Sequence, residues 1–253
     1  MRFGVPKIIR SFGWAGIVLV GSARHFPSVI LRRRARADLF VQLYSTGIRT
    51  LPVMTVVALF TGMIVALQVG IELARFNQEM YLGAAVMLTL VRDMAAFVTG
   101  ICLAACVGSA IAAELGTMKV NDEIDALTIM GIAPFRFLSA PRILALLMMA
   151  PLLMFYATIV GTVGGGFVSM TQLDVDFGQF MSSAMSIIKA KDLYVGLAKS
   201  AAFGLVIGTI ACAEGFGTAL GATGVGKSTQ RAVIVSFLSI LVIGYMITRV
   251  CYQ

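Results

Sequence analysis

At 253 residues, 59% hydrophobic and 13% charged, with a mean hydropathy of +0.94, the chain is too apolar for a water-soluble domain of its length. A formal net charge of +8 would suggest nucleic acid in a soluble protein, yet no basic stripe with interleaved aromatics occurs. The cations are therefore assigned to membrane orientation and anionic headgroups, no nucleic-acid partner is expected, and the chain reads as an all-α integral membrane protein.

Residues 1–50 form a basic N-terminal segment. From Ile8 to Ile30 it is apolar in patches, interrupted by Gly13, Gly16 and Gly21, carries Trp14, and is flanked by Arg10 and the run Arg32-Arg33-Arg34-Ala35-Arg36. The basic run and the span that follows it argue against a cleaved signal peptide. The segment reads as an interfacial helix along the inner leaflet, with Trp14 and the arginines at headgroup level. A re-entrant hairpin or a sixth, weakly hydrophobic span is the alternative.

Residues 51–253 form a five-span core, and 1–253 is treated as a single membrane domain. Windows of about 20 apolar residues run from Leu51 to Leu73, Met94 to Ala113, Ile143 to Val168, Tyr194 to Ala213, and Ala232 to Val250. An earlier start of the second span, near Tyr81, would place Arg92 and Asp93 inside one long helix. Pro151 interrupts the third span, which a membrane helix tolerates when neighbours or water satisfy the freed carbonyl. Five spans put the termini on opposite sides. With the N-terminus inside, fourteen Lys and Arg lie on the cytoplasmic side against five outside, namely Arg75, Lys189, Lys191, Lys199 and Arg249. The C-terminus is then periplasmic, the loop from Glu214 to Arg231 cytoplasmic, and the segment from Thr171 to Asp192 outside.

Between the second and third spans lies a polar block, Glu114 to Leu127, which holds four of the twelve acidic residues and cannot lie in hydrocarbon. From Val120 it reads as a short amphipathic helix. Val120, Ile124 and Leu127 form one apolar stripe, while Asn121, Asp122, Glu123 and Asp125 face elsewhere. Asp122 and Glu123 suit the positive end of the helix dipole, and Gly131 is the expected stop. A short helix held at the membrane surface in this way suits the docking of a cytoplasmic motor domain.

Arg92 and Asp93 are rare for their depth, because ionisable groups inside a membrane face a cavity or a partner. They read either as part of a polar cavity that accepts a headgroup or as an interfacial charge pair anchoring a helix end. Neighbours on a helix point about 100° apart, so the two need not pair with each other. Gly161 with Gly165, and Gly204 with Gly208, allow close helix crossings, either within one protomer or in a dimer.

Residues Gly221 to Ser228 satisfy the phosphate-loop pattern G-x-x-x-x-G-K-[ST]. A working loop of that kind joins a strand to a helix in an α/β domain, whereas both flanks here are membrane-length, so the segment reads as a glycine-rich cytoplasmic turn. Cys102 and Cys106 read as small buried hydrophobes rather than metal ligands, since His25 is the only histidine. No Ser, His and Asp arrangement can be assembled, so hydrolytic catalysis is not expected.

The block from Glu114 to Leu127, with Met130-Gly131-Ile132, Pro134 and Pro141-Arg142, resembles the signature of the MlaE-type permeases of MCE-associated ABC transporters. Gly108-Ser109-Ala110, the run Gly221 to Gly226 with Thr229 and Ala232-Val233, and Phe12-Gly13-Trp14-Ala15-Gly16 are similar to the same family. The resemblance implies a homodimeric permease of the bacterial inner membrane, with an N-terminal interfacial helix, five transmembrane helices and a cytoplasmic coupling helix between the second and third. It implies a cytoplasmic ABC ATPase dimer that binds ATP and Mg, a periplasmic MCE-domain lipid-binding protein, and membrane phospholipids as cargo. Glu114, Gly116, Thr117, Met118, Val120, Glu123, Ile124, Asp125 and Leu127 are then the ATPase-coupling residues, and Arg92 and Asp93 lie by the lipid cavity. At that last site the family's Arg-Glu-Leu-Gly-Pro becomes Arg92-Asp93-Met94-Ala95-Ala96, and at Lys227-Ser228 the family more often has Arg-Ala. Two other classes are a secondary transporter, for which Asp93 is the one candidate coupling carboxylate, and a non-transporting membrane anchor.

Overall fold

A computed structural model describes residues 5–23, 26, 33–173, 175–219 and 221–252. Eight helices organise them: α1 (Val5–Ala23), α2 (Ala37–Arg75), α3 (Glu79–Val120), α4 (Glu123–Ile129), α5 (Phe135–Gln172), α6 (Phe177–Ile187), α7 (Ala190–Phe216) and α8 (Ala222–Tyr252). Five of these, α2, α3, α5, α7 and α8, are long and apolar enough to cross a membrane, and no strand occurs among the described residues. The chain is an all-α membrane protein. His25, Arg32 and the side chains of Arg10 and Trp14 lie outside the described residues and side chains, and with them the expected headgroup-level anchoring of the N-terminal segment.

Each span is longer than its apolar window, because a helix does not stop where hydrocarbon does. The largest difference is at the first span, which is preceded without a break by helix over Arg33–Gly47 and a 3-10 turn over Ile48–Thr50 and so does not start at Leu51. Residues 37–50 mix Asp38, Gln42, Ser45 and Arg49 with outward-facing Phe40, Val41, Tyr44 and Ile48, so their average hydropathy hides a helix that continues the span. The second span starts at Glu79, as its earlier alternative allowed, and Arg92 and Asp93 are inside it.

The chain divides into two compact units. In the unit made of residues 1–50, 100–150 and 201–245, Leu39, Ala140, Leu144 and Ala145 form a core with Phe26, Leu43 and Leu147 around it. Here α1 is seated on the start of α5: the buried Ser22 and Ser139 hydroxyls hydrogen-bond at 2.9 Å, and the Phe135 ring covers Gly21. Phe135 also meets Phe216 edge to face, with centroids 5.5 Å apart. Gly204 and Gly208 bring α7 against the backbone of α5 at Leu146 and Ile143.

The other unit comprises residues 51–99, 151–200 and 246–253 and is built around Ala66, Leu82, Val86, Leu90, Val168, Val175 and Phe180. Gly62 of α2 touches the backbone of α5 at Gly161, so closely that a Cβ there would collide with the Gly161 carbonyl oxygen. Both glycine pairs thus serve crossings inside one chain. Helix α6 is started by Asp176, whose carboxylate accepts from the Gly178 and Gln179 amides at 2.8 and 3.3 Å, and it is anchored by the fully buried Phe180.

Candidate functional site

Two regions concentrate charge where the fold is otherwise apolar. The first begins with a defect in α3. Across Leu90–Met94 the helix widens into a π-turn, in which the Ala95 amide donates to the carbonyl of Leu90 five residues back. Such single wide turns are rare and often sit at functional sites. An extra residue in the turn changes the rotation of the helix there, and Arg92 and Asp93 both reach α7 instead of diverging.

They do so at different points. Arg92 Nε donates to Asp192 Oδ1 at 2.8 Å, and Lys199 Nζ donates to Asp93 Oδ1 at 2.6 Å. Asp192 and Lys199 are seven residues apart on α7, two turns along one face. Lys199 is completely buried and uses all three of its donors: the other two go to the Arg92 carbonyl at 2.9 Å and to Thr248 Oγ1 at 2.8 Å. Thr248 in turn donates to Asp93 Oδ1 at 3.2 Å. At the far end of the circuit, the Tyr252 hydroxyl donates to Asp192 Oδ1 at 3.0 Å, and the Arg92 guanidinium lies 4.7 Å from the centre of the Tyr252 ring.

Two cations and two carboxylates therefore balance one another inside a membrane-spanning segment, as burial of charge requires. Arg92 and Asp93 are the partly exposed members, at 36% and 37% of their side chains, while Lys199 and Asp192 form the buried backing. Asp192 engages Arg92 through Nε, so the terminal guanidinium nitrogens are not used in that ion pair. Arg92 and Asp93 stand inside α3 and not at its end. Lys199 and Asp192 escaped the sequence reading because they were counted as outside residues. The signal that could have found Lys199 is its position within the fourth apolar window, where a lysine needs an acceptor.

The second region is the polar block. The last α-helical stretch of α3, Ser109–Val120, runs through Val120, so Val120 ends the long helix and does not belong to the short one, a correction to the expected stripe. The chain breaks at Asn121 and Asp122, with Asp122 left-handed at φ 58°, and α4 restarts at Glu123 in a new direction. Stops and starts are set by these backbone angles, which a periodicity argument does not sense. Ile124 is buried against its own chain and Leu127 is half-buried. The large apolar residues exposed at the end of α4 are Ile129 at 88% and the capping Met130 at 65%.

Gly131 terminates α4 as expected. With φ at +75°, its amide donates to Thr128 and the Ile132 amide donates to Leu127, which caps the last carbonyls in the paired pattern typical of a glycine stop. Lys119 Nζ bridges both carboxylate oxygens of Asp125 at 2.8 Å, tying α4 to the end of α3, and Asn121 Nδ2 reaches Glu123 Oε1 at 3.4 Å. Glu114 lies six residues before the end of α3 and accepts from Arg142 Nη2 at 2.6 Å. Leu115 and Gly116 are buried, Thr117 is exposed, and Met118 is half-buried. The expected coupling residues are thus divided between the end of α3 and α4 itself.

The phosphate-loop pattern does not fold as the expected turn: only Gly221 precedes α8, and Ala222 to Ser228 form the first turns of that helix, because the left-handed Gly221 starts it and the glycines that follow are tolerated inside it. Gly221 adopts φ +88°, Gly224 touches the Ala219 carbonyl, and Ser228 is fully buried. The Ser228 hydroxyl donates to the Val225 carbonyl at 2.9 Å and accepts from Thr218 at 3.0 Å, so it is not available to a metal-bound nucleotide. Of the cysteines, Cys212 is buried and Cys102 half-buried, but Cys106 is exposed, contrary to its reading as a buried hydrophobe. It lies in the π-turn Ala104–Gly108.

A family model described as Permease MlaE matches residues 39–250. The chain is 34% identical over 239 residues to a probable ABC transporter permease protein of Rickettsia conorii, an alignment covering 92% of each chain. It is 32% identical over 228 residues to a probable ABC transporter permease protein of Synechocystis, covering 90% of this chain and 87% of that one. To the intermembrane phospholipid transport system permease protein MlaE of Haemophilus influenzae it is 29% identical over 249 residues, covering 98% and 94%.

Proposed function

This chain belongs to the MlaE permease family, and from that premise we propose that it is the membrane subunit of an ATP-driven transporter that moves phospholipid between the inner membrane and a periplasmic MCE-domain partner. The observation that carries the proposal is the Arg92–Asp93 pair, partly exposed on a wide turn of a membrane helix and backed by buried Asp192 and Lys199. Arg92 offers terminal guanidinium nitrogens to a phosphate, and Asp93 offers a carboxylate to an amine or hydroxyl.

ATP and Mg belong to a separate cytoplasmic ATPase dimer. Two copies of this chain rock about a central apolar cavity as the motor closes, with the N-terminus and α4 on the cytoplasmic side and the C-terminus in the periplasm. The least buried spans, α2 and α8, carry the apolar faces available to lipid or to the second copy. In coupling, Ile124 holds α4 to its own chain, and Leu127, Ile129 and Met130 form the apolar contact with the motor, with Glu123 beside them. Asp125 supports α4 through Lys119. A secondary transporter would have to load and release its ion at Asp93, whose Oδ1 accepts from Lys199 and Thr248 and whose other oxygen is the one left to a ligand.

The test is affinity purification of the tagged chain from its native membrane in mild detergent, followed by mass spectrometry of proteins and lipids. Recovery of an ABC ATPase, an MCE-domain protein and bound phospholipid is the expected result. Recovery of the chain alone, free of both ATPase and lipid, would refute the proposal.

A further inference from the structure

A second polar site lies away from the Arg92 circuit, within the unit that contains α4. A cavity of about 280 Å³ opens between the first part of α2 and the last part of α3, lined among others by Gln42, Ser45, Arg49, Val107, Ala110 and Glu114. Its position along the spans is informative. Arg49 stands just before the first apolar window and Glu114 just after the second. Consecutive spans cross in opposite senses, so both side chains lie at the same edge of the hydrocarbon, at headgroup depth. The volume is near the lower limit of small-molecule pockets, roughly 300 Å³, which suits a headgroup whose acyl chains stay outside. Phe40, Val41, Tyr44 and Ile48 expose an apolar surface on the adjoining face of the same helix, where such chains would lie.

The charges of the site are arranged unequally. Arg49 is exposed and has no ion-pair or hydrogen-bond partner among the described residues. Among the described residues, Glu114 is held by one oxygen only, Oε1, through the Nη2 donor of Arg142, a residue 4% exposed whose Nε and Nη1 are buried without partners there. Arg142 therefore fixes the Glu114 carboxylate and offsets its charge, leaving the other oxygen as an acceptor and Arg49 as the uncompensated charge. An anion is attracted to Arg49, and a hydrogen-bond donor beyond it is accepted by Glu114.

We propose that this cavity binds the headgroup of a membrane phospholipid in the leaflet at the α4 end of the spans, with the phosphate on Arg49 and a terminal N–H or O–H on Glu114. Ethanolamine and glycerol headgroups meet both conditions. Choline does not, because its quaternary ammonium has no hydrogen to donate. The inference rests on the membrane-spanning fold and not on the transport reading.

Cys106, exposed on the cavity wall, supplies the readout. The full chain in detergent is titrated with short-chain phosphatidylethanolamine, phosphatidylglycerol or phosphatidylcholine, or with inorganic phosphate. Alkylation of Cys106 is followed by peptide mass spectrometry, with Cys251 as the internal control. The ethanolamine and glycerol lipids should protect Cys106 while leaving Cys251 unchanged. Arg49→Gln should raise the half-protecting concentration by about tenfold, the worth of one charge-assisted contact, and Arg49→Lys should restore part of it. A cavity-filling Ala110→Trp, which keeps every charge, should abolish lipid-dependent protection. Equal protection by phosphatidylcholine, equal protection by inorganic phosphate, or protection indifferent to Arg49→Gln would each overturn the assignment. No ATPase is needed, so failure here and failure of the transport reading are separate outcomes.

Discussion

Removing either partner of the buried Lys199–Asp93 pair should have very unequal effects. Asp93→Ala leaves a fully buried ammonium with only the Arg92 carbonyl and Thr248 Oγ1 as acceptors. Stranding a buried charge in this way costs about 3–5 kcal/mol. Lys199→Met instead removes the buried cation and leaves Asp93, whose side chain is 37% exposed and still accepts from Thr248. Water can then solvate the carboxylate, and the loss should be nearer to 1–2 kcal/mol, the order of one charged hydrogen bond. The double variant has no stranded charge and should be close to Lys199→Met alone, far from the roughly 4–7 kcal/mol expected of independent sites. The assay is unfolding of the purified variants by SDS titration in mixed micelles, read by far-ultraviolet circular dichroism. Equal damage from the two single variants, or an additive double variant, would show that Lys199 is not held by Asp93 as described.

Close helix crossing predicts a contrast between two glycines. Gly62→Ala drives a methyl into the Gly161 carbonyl and should destabilise by about 2 kcal/mol or more, whereas Gly226→Ala meets no atom within 4 Å in an exposed turn of α8 and should stabilise by up to about 1 kcal/mol; the same micellar titration reads both. Gly131→Ala keeps open space around the new methyl but forces φ +75° on an L residue. It should loosen the end of α4 by about 1 kcal/mol, seen as faster proteolysis within 129–133. Ile129→Asp combined with Met130→Asp should abolish co-purification of the ATPase while leaving membrane insertion and the unfolding midpoint intact, and unchanged co-purification would remove these residues from the docking surface. Lys227→Ala should leave nucleotide binding by the isolated chain at background level, and Lys227-dependent binding in an equilibrium assay would reverse the account of the glycine-rich start of α8.

Much of the architecture is legible in the residues because it is locally caused. An apolar run long enough to cross hydrocarbon must satisfy its own backbone, so each of the five windows is a helix in the structure. Gly131 stops α4 because a left-handed residue is required there, and the motif from Glu114 to Arg142 carries the family. The limits appear where two local rules compete. Val120 fits the period of a short amphipathic helix equally well as the end of α3, and only the left-handed break at Asp122 assigns it to α3.

What the sequence by itself determined is the class, the number of spans, the surface helix and its stop, and the exceptional nature of Arg92 and Asp93. Only the tertiary structure decided what those two side chains do. The π-turn at Leu90–Met94 turns them onto α7, where residues about one hundred positions away, Asp192 and Lys199, supply the opposite charges. Nothing in local sequence spacing encodes that pairing. It depends on the rotation of each helix about its own axis, and that rotation is set by packing, above all by glycines that let one backbone rest on another.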